Sequence, residues 1–410
     1  MSEEKGQQGA IPKYFSGSQY ETQPEMLQVR QKPSKLFIGI PKEETLQENR
    51  VALVPSSIAT LVAHGHRVIV ESTAGEKSNF TDHDFAESKA EIVFSKEEVY
   101  KADVIIKVAP PTLSEIDLMH PNQILISPLQ LPIISSNYIN KLKQKRVIAL
   151  AMEYIKDDSD HFPVVRIMSE MAGLSAVLTA GELLSINGGG NGVLLGGISG
   201  VPSAKVVILG AGIVAENATR VALGLGAEIR IFDNNIYKLK RLKTQIGQQI
   251  YTSVINPVYL ERELETADVV IGAIHSKSGR TPVIVSEEMV AKMKPGTVII
   301  DVSIDQGGCF ATSEVTSLDR PTFIKHDVVH YCVPNIASRA PRTASIAVSN
   351  ILTPILLKAG STASIEALLF NNLGLRHGVY MYKGCLCNEY LGKRFKIKST
   401  DLNLLITSNL

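Results

Sequence analysis

The sequence predicts an α/β protein of two domains, each built on a mostly parallel sheet. Three observations lead there. The chain has 410 residues, more than a single core usually organises. Short apolar runs alternate with stretches of helical spacing, which is the pattern of βαβ units. That alternation occurs twice, on either side of a long helix-compatible stretch, so it reads as two sheets rather than one.

Residues 1–35 are polar, contain no apolar stretch of signal-peptide length, and read as a flexible or partner-wrapping extension. Between 36 and 151 the runs "LFIGI", "RVIVES", "DVIIKVA", "QILIS" and "VIALAM" are strands, separated by segments such as "SSIATLVAHG". A helix-compatible segment near 163–187, rich in small residues, is placed to link the domains. The glycine cluster "GGGNGVLLGGISG", 188–200, has no Lys-Ser or Lys-Thr pair and no strand directly before it. It therefore reads as a connector or hairpin rather than a P-loop.

The second series runs through "AKVVILG", "AEIRIFD", "DVVIGAI", "GTVIIDV" and "PTFIKHD". Beyond it, "TASIAVSNILTPILLKAG", 343–360, has helical spacing but is expected to break at Pro354. The tail shows no sheet of its own and is expected to pack back on the first domain. The expected division is 36–163 with 342–410 as a discontinuous substrate domain, and 164–341 as a dinucleotide-binding domain.

Composition narrows the partners. With 44% hydrophobic residues, 42 basic against 41 acidic residues and a net charge of +1, the chain presents no electrostatic case for nucleic acid or an anionic membrane. The apolar stretch 192–215 is interrupted by glycines, Pro202 and Lys205, which argues against a spanning helix. The four cysteines form no CxxC pair and no metal-ligand spacing, as expected of reduced cytosolic thiols and a protein without a metal. Small molecules are the expected partners.

The second series opens on "VVILGAGIVAENATRVALGLGAEIRIFD", 206–233. Gly210, Gly212 and Ala215 give the spacing G-x-G-x-x-A between a strand ending at Leu209 and a helix starting near Ile213, and Asp233 closes the next strand about 20 residues on. This is the fingerprint of a Rossmann-type, doubly wound domain. Gly210 makes the tight turn, Gly212 lets backbone approach a pyrophosphate, and the helix amino terminus faces its charge. Asp233 would accept from a ribose 2′-hydroxyl and repel a 2′-phosphate, which favours NAD over NADP.

Two further loops carry chemistry. In "IGIPKEETLQENRVALVP", 38–55, Arg50 sits in a loop at a strand end among Lys42, Glu43, Glu44 and Glu48. It reads either as a carboxylate or phosphate grip or as a solvated surface charge. In "TVIIDVSIDQGG", 297–308, Asp301 lies within the strand pattern and Asp305 where the chain leaves the carboxyl edge, so Asp305 reads as a group near a nicotinamide or as a turn cap.

The segments "GIPKE…ENRVALVP", "MSEMAG", "GVLLGGISGV", "VILGAG", "IDVSIDQGGCF" and "HDVVHYCVPN", in that order over about residues 36–383, resemble alanine dehydrogenases and the related alpha subunit of proton-translocating transhydrogenases. The resemblance implies a two-domain enzyme with NAD in the cleft, usually a homohexamer, interconverting L-alanine with pyruvate and ammonium. It places the substrate-carboxylate arginine on Arg50, the catalytic aspartate on Asp305, and cofactor contacts on Ser169, Lys238 and Asn335.

Two positions depart from the pattern. Where the family has a lysine that holds the substrate's oxo group, "IIKVAPP" has Ala109, with Lys107 two residues away on the same strand face. Lys107 is expected either to reach into the same pocket or to point to water. Where the family has an acid/base histidine, "ISPLQLP" has Gln130, which hydrogen-bonds but exchanges no proton at neutral pH. The transhydrogenase branch also lacks both, and its loop resembles "SRAP" with Arg339, yet this chain keeps "DQGGCF". His275, His326 and His330 are substitute proton carriers or ordinary structural residues. A different amino or oxo acid substrate, and a non-catalytic NAD-binding protein, are the rival readings.

Overall fold

In the computed structural model, which describes residues 35–44, 48–131, 133–276, 279–362 and 364–407, the strands pair into two separate sheets. Apart from Lys35, the expected extension lies outside the described residues. The first sheet takes β1 (Phe37–Ile40), β2 (Arg67–Glu71), β3 (Glu91–Val93), β4 (Val104–Ile106), β5 (Ile124–Ser127) and β6 (Ile148–Ala151). The second takes β7 (Lys205–Leu209), β8 (Glu228–Phe232), β9 (Tyr251–Ser253), β10 (Val269–Gly272), β11 (Val298–Asp301), β12 (Thr322–Lys325) and β13 (Val328–Tyr331). The tail then supplies β14 (Val379–Tyr382) and β15 (Cys385–Leu386).

The order in the first sheet is β15-β14-β6-β5-β4-β1-β2-β3, parallel except that β14 runs antiparallel to both β6 and β15. The tail thus extends the first sheet at its edge. In the second sheet the order is β12-β13-β11-β10-β7-β8-β9. Here β12 pairs antiparallel with β13, because His326 and Asp327 both take positive φ and close a two-residue hairpin.

Each sheet reverses its strand order at its first strand: β1 lies between β4 and β2, and β7 between β10 and β8. Loops leaving such strands at their carboxyl ends open the crevice where α/β proteins bind ligands. Arg50 is on the loop after β1, and the Gly210–Gly212 turn follows β7.

Two long helices tie the domains together. The Pro163–Leu183 helix puts Val164, Ile167 and Met168 against the first core and Ala172, Ala176, Val177 and Ala180 in the second. Small residues on that half allow close approach to the Ile213–Gly224 helix: a Cβ added at Gly173 would lie 2.4 Å from the Val214 carbonyl oxygen.

The Pro341–Ser361 helix packs Val348, Leu352, Leu356 and Ala359 into the first core. It runs unbroken through Pro354, contrary to the expected break. The missing N–H and ring clash cost about 3 kcal/mol in an exposed helix, but here buried side chains on both sides of Pro354 hold the helix together. Both helices are long and apolar enough to cross a bilayer, yet each packs one face into the cores of this fold and leaves the other partly exposed.

Candidate active site

The turn after β7 fits a dinucleotide. Gly210 has φ +115°, and a Cβ there would lie 2.4 Å from the Ala273 carbonyl oxygen, so only glycine fits. A Cβ on Gly212 would meet nothing within 4 Å, so backbone there faces open space. The Ile213–Gly224 helix starts at Gly212 without a side-chain cap, which leaves its first N–H groups to an anion. Ala215 is buried where the helix meets the sheet. Asp233 accepts from the Ala211 N–H (2.8 Å) and the Asn235 N–H (2.7 Å), which fixes its carboxylate beside the glycine turn. Lys238, one turn on, is exposed.

The described residues of the loop after β1 pair with no strand, so their N–H groups draw on side chains. Ser345 and Ser349 of the Pro341–Ser361 helix accept from Val51 N–H (2.9 Å) and Val54 N–H (3.1 Å), and the Ser78 hydroxyl donates to the Asn49 carbonyl (2.7 Å). Arg50 is therefore held at a fixed height. Its Nε and Nη2 donate to Glu48 at 2.7 and 2.6 Å, Nη1 lies 3.1 Å from Met168 Sδ, and the side chain is buried. Ser169, the next residue, is half-buried on the same helix.

Glu48 also reaches the second domain. It accepts from Asn335 Nδ2 (2.8 Å) and the Ser338 hydroxyl (3.1 Å). Burial opposes its charge, but Arg50 and the Ser338 hydroxyl more than offset that and hold the carboxyl below the usual range. Asn335, with φ +55°, turns its backbone N–H to Asp305 Oδ1 at 3.0 Å. Solvent still reaches Asp305, although protein crowds its carboxyl. That crowding raises the carboxyl above the usual range, against the Asn335 N–H and the Arg50 charge. Asp301 shapes the turn, accepting from Ser303 N–H, Cys309 N–H and the Ser313 hydroxyl. Arg50, Asp305 and Asn335 are thus linked through Glu48.

Lys107 does not point to water. It is fully buried, 2.9 Å from Glu43 Oε2 and 3.1 Å from Glu115 Oε1. Burial works against its ammonium and the two carboxylates overturn that, holding it above the usual lysine range. Glu115 is held low despite burial, by Lys107 and by the Thr112 N–H of its capping box. Burial pushes Glu43 up, so Glu43 is the one of the two carboxyls that keeps a proton more readily. Ala109 is buried and brings no donor.

Gln130 sits at φ +44° in the turn after β5. Behind it Glu153 accepts from Leu129 N–H (2.7 Å) and Gln130 N–H (3.4 Å), while Glu153 Oε2 is buried with no hydrogen-bond partner among the described residues. Burial raises Glu153 from 4.5 to about 7. The folded protein therefore holds a proton that the unfolded chain has released, and this contribution to stability is lost as pH rises from about 4.5 through about 7. Glu153→Gln should consequently be more stable than wild type at pH 8, by on the order of 3 kcal/mol, and no more stable at pH 4. Urea melts at both pH values check this, and equal shifts at the two would contradict it.

Two of the three histidines are structurally committed: His330 is buried against Thr312 and stacked on Phe323, and His326 pairs with Glu287, while His275 is exposed. Arg339 binds Thr179 and Glu182 of the long helix. No group of His, Cys, Asp and Glu suited to a metal occurs among the described residues. Glu48, Ser338, Glu43, Glu115 and Glu153 were not singled out by sequence. Side chains in a loop follow no period, so nothing in "KEETLQENR" separates Glu48 from Glu44.

Residues 39–172 match the family model described as "Alanine dehydrogenase/PNT, N-terminal domain", and residues 176–389 match the corresponding C-terminal domain. The chain is 39% identical over 362 residues to "Alanine dehydrogenase 2" of Staphylococcus aureus, across 88% of this chain and 97% of that one. A solved structure titled "L-alanine dehydrogenase" superposes with a TM-score of 0.82 at 35% identity, covering 88% of this chain and 99% of the other. A transhydrogenase from Sinorhizobium meliloti, at 22% identity and a TM-score of 0.72, shares the fold.

Proposed function

Because the chain belongs to the alanine dehydrogenase/PNT family, and so is an NAD-dependent amino-acid dehydrogenase, we propose that it interconverts L-alanine with pyruvate and ammonium. The observation that carries this reading is that Arg50 and Asp305, from different domains, are joined through Glu48 and Asn335 at the strand ends of both sheets. A carboxylate grip beside a carboxylate of raised proton affinity suits a small amino acid with a labile α-substituent.

In this reading the substrate carboxylate takes the Nη1 side of Arg50, since the Nε–Nη2 edge is filled by Glu48. Asp305 takes or returns a proton at its carboxylate oxygens and orients water. When bound, the nicotinamide supplies the acceptor for the hydride that leaves Cα. Gln130 orients by hydrogen bonding, and Lys107, held by two carboxylates, sets the local field. Without a donor at Ala109, polarisation of the oxo group falls to Asp305 and water, so turnover should be slower than in relatives that keep the lysine and histidine.

Asp233 and Lys238 would flank the adenosine ribose, with Ser169, Ile213 and Asn335 along the rest of the cofactor. The exposed apolar side chains of Leu178, Ile186, Leu194, Ile198 and Val201 suit a homo-oligomer, a hexamer by resemblance. The unpaired cysteines suit the cytoplasm. The test is NADH oxidation against a panel of 2-oxo acids, each with and without ammonium. Ammonium-dependent oxidation with pyruvate fastest is expected. A faster reaction with another oxo acid, or one indifferent to ammonium, would replace alanine as the substrate.

A further inference from the structure

We propose that Glu48 is a positioning residue that couples the cofactor domain to the Arg50 grip, so that cofactor and substrate carboxylate strengthen each other's binding. In taking pyruvate as its carboxylate probe, this rests on the substrate reading above. Glu48 belongs to the loop after β1, and its side chain is wholly buried. Its Oε1 accepts from Asn49 N–H, Arg50 N–H, Arg50 Nε and the Ser338 hydroxyl. Its Oε2 accepts from Arg50 Nη2 and Asn335 Nδ2.

A carboxylate so fully engaged has no lone pair left for substrate, so Glu48 does not act on the reacting atoms. A buried ion pair also adds little to stability compared with apolar packing. What this one provides is registry. The same carboxylate fixes which edge of Arg50 is free and holds the 335–338 turn of the other domain. Asn335, in the left-handed conformation, faces two ways, its backbone N–H toward Asp305 and its amide toward Glu48. A shift of this turn on cofactor binding must therefore lengthen or shorten charge-assisted hydrogen bonds to Glu48, and Arg50 is tied to the same two oxygens. The Asn49 N–H, shared between Glu48 and Ser338 at 3.1 Å each, ties the backbone of one domain to the other.

The test is calorimetric titration of pyruvate with and without saturating NADH, on wild type, Glu48→Gln, Glu48→Asp and Ser338→Ala. In wild type NADH should tighten pyruvate binding about tenfold, within the usual range of coupling between sites. Glu48→Gln should reduce that factor below about twofold, with NADH affinity alone changed by less than about threefold; Glu48→Asp, which keeps the charge, should retain part of it. Should Glu48→Gln not fold, Ser338→Ala decides, with an expected coupling of about threefold.

Wild-type coupling in these variants, or none in wild type, overturns the proposal. If wild type binds NADH but no pyruvate, the substrate reading fails while the coupling is still read by hydrogen exchange. NADH should slow exchange at residues 48–54 in wild type and not in Ser338→Ala, and protection equal in both, or absent in wild type, overturns it.

Discussion

Asp305→Asn should lower the turnover number of pyruvate amination by about 10²–10⁴ while changing NADH affinity little, since a positioned proton-transfer group contributes that much. Asparagine keeps the size of the side chain and an acceptor for the Asn335 N–H at 3.0 Å, so the turn after β11 is retained and only the exchangeable proton is lost. Crowding by protein raises the Asp305 carboxyl above the ordinary range, against Arg50 and Asn335. The ionised form is therefore lost at a higher pH than for a free aspartate, and wild-type activity should fall as pH drops through that raised value. The variant should lack this acidic limb. Steady-state kinetics across pH check both points, and an unaltered profile would remove Asp305 from proton transfer. A fall in kcat and kcat/KM together would mark an interaction made in the transition state.

Lys107→Met should destabilise the protein by about 3–5 kcal/mol, the usual effect of removing one partner of a buried ion pair. The loss comes from what remains: Glu43 and Glu115, both buried, would face one another with no cation between them. Without the lysine Glu43 would rise further and Glu115 would lose the cation that holds it low, so the folded variant would hold protons that the unfolded chain releases. Its stability should drop as pH rises above the ordinary glutamate range, and the gap to wild type should widen over the same interval. Adding Glu43→Gln should recover part of the loss, because it removes the carboxylate that burial already raises. Urea unfolding of the single and double variants at pH 5 and pH 8 decides it, and a gap independent of pH would mean that packing of the lysine stem dominates.

The sequence made the sheets legible because their central strands are buried on both faces and read as continuous apolar runs, as in Val269–Gly272 and Val298–Asp301, whereas the edge strands Glu91–Val93 and Tyr251–Ser253 are partly exposed. The glycine turn was legible for a different reason. Gly210 is required by backbone geometry, and such a constraint leaves the same residue type at the same spacing wherever it occurs. Arg50 stood out as a lone fork in an acidic loop, but its tie to Glu48 and to the second domain did not, since contacts across 287 residues leave no periodic trace. Lys107 shows the limit of face arguments: alternation put it beside Ala109, but which carboxylates surround it depends on the loop after β1 and a capping box near Thr112. Pro354 was misleading because tertiary packing outweighed a local rule.

The place of β14 and β15 bears on how the chain folds during synthesis. The second sheet is complete once β13 has emerged, whereas the first waits for two strands that lie beyond the whole of the other domain. Domains ordinarily fold in the order in which they leave the ribosome. Here the order inverts: the dinucleotide-binding unit closes on the nascent chain while β6 still offers an unpaired edge. That edge is covered only when Val379–Tyr382 arrives, so the long-range β6–β14 pairing, slow because of its sequence separation, is the step at which a half-made molecule is most exposed to aggregation.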